Sequence, residues 1–157
     1  MNQTAKSSPK HQAEEPPAHT ALEVACRCGA VRLHVSGEPL AQFYCHCDDC
    51  QAAHTAAYVA ESIYPAAAVR VTQGTPLPHM IRTTPRLGCM ACGTRLFSEI
   101  AAGGGLRGVN AYLLPPGAFQ PQFHVQCQHA VLPVVDDLPH YRSFPPAFGG
   151  TDDRVAW

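Results

Sequence analysis

Seven of the eight cysteines fall in three short clusters: Cys26-Arg27-Cys28-Gly29, Cys45-His46-Cys47-Asp48-Asp49-Cys50 and Cys89-Met90-Ala91-Cys92-Gly93. The eighth, Cys127, stands alone. Close pairs of thiolates suit zinc, because one tight turn can aim two sulfurs at one ion. The glycine after the first and third clusters lets the backbone bend until its amides face the sulfurs. Tetrahedral coordination by four cysteines needs two such pairs, so Cys26 and Cys28 joined with Cys89 and Cys92 predict a structural zinc. Its ligands would sit at about 2.3 Å and leave no position for a substrate. Loss of one of them is expected to cost stability first. The C-x-C-x-x-C run of Cys45, Cys47 and Cys50 offers three sulfurs to a second zinc and leaves its fourth position unassigned. Three protein ligands plus an exchangeable molecule is the pattern of catalytic zinc, which makes these three the candidate catalytic residues. The expected cofactors are therefore two Zn2+ ions, one structural and one catalytic.

A fourth protein ligand would close the second site, and the candidates are His54, His124 and Cys127. His54 follows Cys50 by four residues, a spacing at which a helical turn could bring its ring toward the same ion. His46 stands between two ligands and must point away from the metal, where it would orient a ligand or shuttle protons near neutral pH. Asp48 and Asp49 read as loop residues, with a general-base role as the sharper alternative. Tyr141 and Phe144 are expected to cover an apolar surface, and a late loop could place them as one wall of a pocket. The remaining histidines, His11, His19 and His34 among them, are scattered and need no function.

These residues have to be positioned by short elements. Twelve glycines and fifteen prolines in 157 residues interrupt long helices and favour strands joined by turns. Val31, Leu33 and Val35 alternate with Arg32, His34 and Ser36, the period of a strand with one buried face. With Leu22 to Cys26 and the Cys28-Gly29 corner they predict an antiparallel hairpin. Further strands are expected over Gln42 to Cys45, Ala57 to Ile63, Ala68 to Thr72, His79 to Thr83, Arg95 to Ile100 and Gly108 to Leu113, with a brief helical turn after Cys50. The reading is a single, mainly β domain over residues 21–142, a polar tail over 1–20 and an irregular, proline-rich segment over 143–157. Hydrophobic residues make up 46% of the chain, enough for a real core. A net charge of -1 argues against a protein that grips nucleic acid through its phosphates. No apolar run reaches the length of a membrane span or reads as an export signal, so the expected address is the cytoplasm and a disulfide framework is disfavoured.

The order C-x-C-G-x-V, Y-C-H-C-x-x-C, G-C-x-x-C-G-T-x-L-F and a late D-x-L-P-x-Y resembles the glutathione-dependent formaldehyde-activating family, from about Leu22 to Tyr141. The resemblance implies a β-tent fold of zinc-stabilised antiparallel sheets with few helical turns. It also implies a structural zinc on Cys26, Cys28, Cys89 and Cys92 and a second on Cys45, Cys47 and Cys50. The activity it implies is condensation of glutathione with formaldehyde to S-hydroxymethylglutathione, classed with the carbon-sulfur lyases. Two departures stand out: where family members often carry basic residues just after the third cysteine this chain has Gln51 and Ala52, and near a family glycine it has Thr55. Three thiolates around a divalent ion make a weak Lewis acid, which favours delivering a soft nucleophile over making hydroxide. The expected partners are thus a small-molecule thiol and an aldehyde, with no nucleic acid and no membrane. A non-enzymatic zinc module for protein binding or chaperoning is the rival reading, and thiol redox sensing a third.

Overall fold

A computed structural model of the chain describes residues 21–82 and 84–157. The expected polar tail over 1–20, and Thr83 at the end of one expected strand, lie outside the described residues. The fold is mainly β, as expected. Its elements are β1 (Leu22–Ala25), β2 (Arg32–Val35), β3 (Ala41–Cys45), helix α1 (Asp48–His54), β4 (Val59–Pro65), β5 (Val69–Gln73), β6 (Leu77–Ile81), β7 (Thr84–Gly88), β8 (Arg95–Ile100), β9 (Leu106–Asn110) and β10 (Phe123–Val125). They form a three-stranded sheet in the order β1-β2-β5 and a seven-stranded sheet in the order β10-β3-β4-β9-β8-β7-β6.

The expected hairpin is β1 and β2, paired antiparallel from Leu22 opposite Val35 to Ala25 opposite Arg32. The alternating residues of β2 have the predicted consequence: Leu33 and Val35 are buried, and with Val24, Val31 and Val69 they pack on Tyr64, Leu87, Phe97 and Val109 of the large sheet. This is the main core. Pleating then fixes what the opposite face of the large sheet carries, because successive side chains alternate across a strand. Phe43 and Cys45 of β3, Glu61 and Ile63 of β4, Ser98 and Ile100 of β8, and Thr84 and Arg86 of β7 line one cavity on that face.

Several boundaries differ from the expectations. The expected strand over Ala57 to Ile63 runs from Val59 to Pro65, and that over Gly108 to Leu113 ends at Asn110, with Ala111–Leu113 a 3-10 turn. The Asn110 side chain stops the strand by accepting from the Tyr112 amide at 3.2 Å. The helical turn expected after Cys50 begins earlier, at Asp48, because the Cys47 sulfur caps the helix by accepting from the Cys50 amide. Strand β7 is an addition to the expected set, and Pro85 within it pairs with Met80 of β6. Strand β10 is a second addition and runs parallel to β3, so the large sheet is mixed and not wholly antiparallel. Among the described residues no helix is long and apolar enough to cross a membrane.

Candidate metal centres

The structure brings both expected cysteine groups together. Cys26 and Cys28 sit in the turn that follows β1, Cys89 and Cys92 in the turn between β7 and β8. The sulfurs of Cys26 and Cys28 are 3.5 Å apart, and those of Cys28 and Cys89 3.7 Å. Four ligands at about 2.3 Å around a tetrahedral ion lie about 3.8 Å from one another, so the donor set fits zinc. Each turn closes on its glycine in the left-handed region, Gly29 at φ 76° and Gly93 at φ 71°. The Val31 amide donates to the Cys26 sulfur at 3.3 Å. The Thr94 hydroxyl and amide beside Cys92 lower its thiol to about 5, which favours the thiolate a metal requires.

The second group is assembled by a strand end and a helix start. Cys45 is the last residue of β3, Cys47 caps α1 and Cys50 lies in its first turn. Their sulfurs converge with no fourth Cys, His, Asp or Glu grouped with them among the described residues. Hydrogen bonds from Cys45 and Cys50 hold the Cys47 thiol well below its ordinary range, helped by the Cys50 amide and the Arg86 charge. Three sulfurs with one stabilised thiolate again fit a thiophilic cation.

The space in front of these sulfurs is a cavity of about 210 Å3. Phe43, Ile63, Ile100 and Phe144 form its apolar wall, so the late segment does supply the wall anticipated for Phe144. Tyr141 lies elsewhere, edge-on to Phe123 at 5.9 Å. Two ionisable side chains that the sequence reading leaves out enter the cavity. Arg86, buried on β7, donates to the Thr84 carbonyl at 3.0 Å and to the Cys50 sulfur at 3.6 Å. Glu61, buried on β4, has an Oε2 atom with no hydrogen-bond partner. Burial pushes its carboxyl up to about 8, against the pull of Arg86. A Cβ on Gly108 would stand 2.6 Å from that oxygen, so the glycine makes the room the carboxyl occupies. The available signal for Glu61 is a lone carboxylate inside the run VAESIYP, where the strand is otherwise apolar or small.

The three candidate closing ligands all lie away from the trio. His54 ends α1 and lines a separate cavity beside Tyr58 and Arg95. Burial and the charges of Arg86 and Arg95 lower its ring to about 4. Cys127 is buried at the start of a 3-10 turn, and burial pushes its thiol up to about 11. It acts as a small apolar filler. His124, fully buried on β10, faces His46: the His46 Nε2 and His124 Nδ1 atoms are 2.9 Å apart. His46 does point away from the sulfurs, as its place between two ligands requires. Asp48 and Asp49 are held outside the cavity by Arg82, at 2.6 and 3.1 Å. Gln51 donates to the His46 and His129 carbonyls.

A family model described as glutathione-dependent formaldehyde-activating enzyme matches residues 21–129. No curated protein matches the sequence. A crystal structure of a protein from Rhodobacter sphaeroides is similar over 60% of this chain and 89% of its own, with a TM-score of 0.51 and 22% identity. At that identity the likeness is one of fold.

Proposed function

This chain belongs to the glutathione-dependent formaldehyde-activating family, and from that membership and the cavity described above we propose that it joins a small thiol to a small aldehyde such as formaldehyde. The reaction is carbon-sulfur bond formation of the S-(hydroxymethyl)glutathione synthase type, with lyase chemistry in reverse, and glutathione is the family's thiol. The observation that carries the reading is the set of three convergent sulfurs, Cys45, Cys47 and Cys50, opening on a cavity that also holds a buried carboxyl. We assign a catalytic Zn2+ to those three residues and a structural Zn2+ to Cys26, Cys28, Cys89 and Cys92. When bound in the cavity, zinc supplies the positive charge that favours an incoming thiol as its thiolate.

The chain's own residues do the rest. Phe43, Ile63, Ile100 and Phe144 exclude water from the reacting atoms. Arg86, anchored on the Thr84 carbonyl, balances charge on the sulfurs through Cys50. Glu61 keeps a proton near neutral pH and can give it to the carbonyl oxygen as the C–S bond forms, then take up the proton that leaves the thiol. The net change is one S–H bond and the carbonyl π bond lost, one C–S and one O–H bond gained. The functional unit is residues 21–142, with the 143–157 segment contributing Phe144. None of the eight cysteines is in a disulfide, which suits a reducing compartment such as the cytoplasm.

The test is hemithioacetal formation from formaldehyde with glutathione and with smaller thiols, followed by NMR against the uncatalysed rate. Cys45→Ser is expected to fall to background with its fold intact, and Glu61→Gln to lose about 10²-fold. Equal rates for wild type, Cys45→Ser and buffer would leave a zinc-stabilised scaffold in place of an enzyme.

A further inference from the structure

Behind the thiolate pocket, on the other face of β3, lies a cluster for which the thiol chemistry has no use. His124 and His140 are stacked with ring centroids 4.4 Å apart, and both Nε2 atoms face one carboxylate, that of Asp136. His124 Nε2 is 3.0 Å from Asp136 Oδ2. His140 Nε2 approaches Asp136 Oδ1 to 3.4 Å without forming a hydrogen bond, and it is left unpartnered on a residue only 8% exposed. We propose that His124, Asp136 and His140 form a third metal site, which takes one divalent borderline cation such as Zn2+ through the two Nε2 atoms and the Asp136 carboxylate.

Three features support a built site. First, the backbone registers the two histidines: the His124 amide donates to the Pro139 carbonyl at 2.8 Å and the Tyr141 amide to the His124 carbonyl at 3.0 Å. Asp136 is fixed in turn by accepting from the Leu138 amide at 2.9 Å. Ligands held before the ion arrives lose little freedom when it does. Second, the unpartnered His140 Nε2 is the atom that coordination would satisfy, which removes the cost of a buried polar group with no partner. Third, His46 contacts the far nitrogen of His124, the relation by which a metal-bound imidazole is fixed in tautomer and orientation. Two imidazoles and a carboxylate are the donors that borderline first-row cations prefer. Trp157 stands edge-on over His140 at 5.7 Å, and the Asp136 side chain, 34% exposed, leaves a route for the ion.

The experiment counts metal in the full-length protein. Wild type, Asp136→Asn, His140→Phe and Cys45→Ser are loaded with Zn2+, passed through gel filtration and weighed by native mass spectrometry. Wild type is expected to carry one more equivalent than Asp136→Asn or His140→Phe, and Cys45→Ser to retain that equivalent. Asp136→Asn keeps an acceptor for the Leu138 amide and so preserves the turn if the core variant fails to fold. With Co2+ in place of Zn2+, the equivalent lost in Asp136→Asn is expected to show d–d absorption without sulfur charge transfer. Equal metal counts in wild type and Asp136→Asn, with identical cobalt spectra, would overturn the proposal. Neither readout depends on whether the cysteine trio is catalytic.

Discussion

His54 illustrates how residue type and spacing part company. A histidine four positions after a cysteine ligand is a fair candidate for the same ion, yet α1 ends at His54 and turns its ring toward Arg95. Burial there lowers the ring to about 4, below the 6.5 of the unfolded chain. The neutral ring's contribution is therefore complete above pH 6.5 and is lost as pH falls toward 4. Urea unfolding at pH 7.5, 6 and 5 is expected to show wild type losing ground to His54→Gln with acidification, both proteins being metal-loaded. A gap that stays flat over those pH values would show an exposed, unperturbed ring. The cysteines are legible because their spacing states their geometry. Glu61 and Arg86 are not, since each acquires its role from strands brought together across the sheet, Arg86 standing on the next strand but two from Glu61, and Asp136 and His140 acquire theirs where the irregular late segment packs beside β10.

At the scale of elements, α1 carries a local strain that the sequence explains once the backbone is known. Thr55, the residue after the helix, sits in the left-handed region at φ 52° and ψ 47°. A β-branched residue there is disfavoured by about 1–2 kcal/mol, and glycine is the usual occupant of such a helix end. Thr55→Gly is expected to raise stability by up to about 1 kcal/mol, the relief being partly offset by glycine's greater freedom when unfolded. Denaturant midpoints of the two proteins check it, and a destabilised variant would mean that the hydroxyl makes an unseen contact. The strand with clear alternation, β2, is legible in sequence. Strand β7 is not, because TPRLG has a proline second and closes with a glycine, both punctuation by local rules. Pairing on both sides, with β6 and β8, overrides that preference. Strand β10 is only three residues long and exists by leaning on β3.

For the whole molecule, the four-cysteine centre is a clasp between layers. Cys26 and Cys28 belong to the hairpin of the small sheet, Cys89 and Cys92 to a hairpin of the large one. Structural zinc binding is worth about 10 kcal/mol or more, as much as the net stability of a typical domain. Cys92→Ser or exhaustive chelation is therefore expected to abolish cooperative unfolding at 25 °C, while Cys45→Ser keeps a sharp transition. Calorimetry distinguishes the cases, and a cooperative melt in metal-free protein would show that the apolar core alone suffices.

The run from Phe43 to Cys47 ties the remaining parts together. Phe43, Cys45 and Cys47 face the sulfur cavity while Tyr44 and His46 pack against His124 on the other side, so two neighbourhoods of unlike chemistry share a party wall one backbone thick. Any twist of that wall that widens the sulfur side must crowd the imidazole side. A molecule lodged in either room would be felt next door through the pitch of five residues, with no relay of side chains in between.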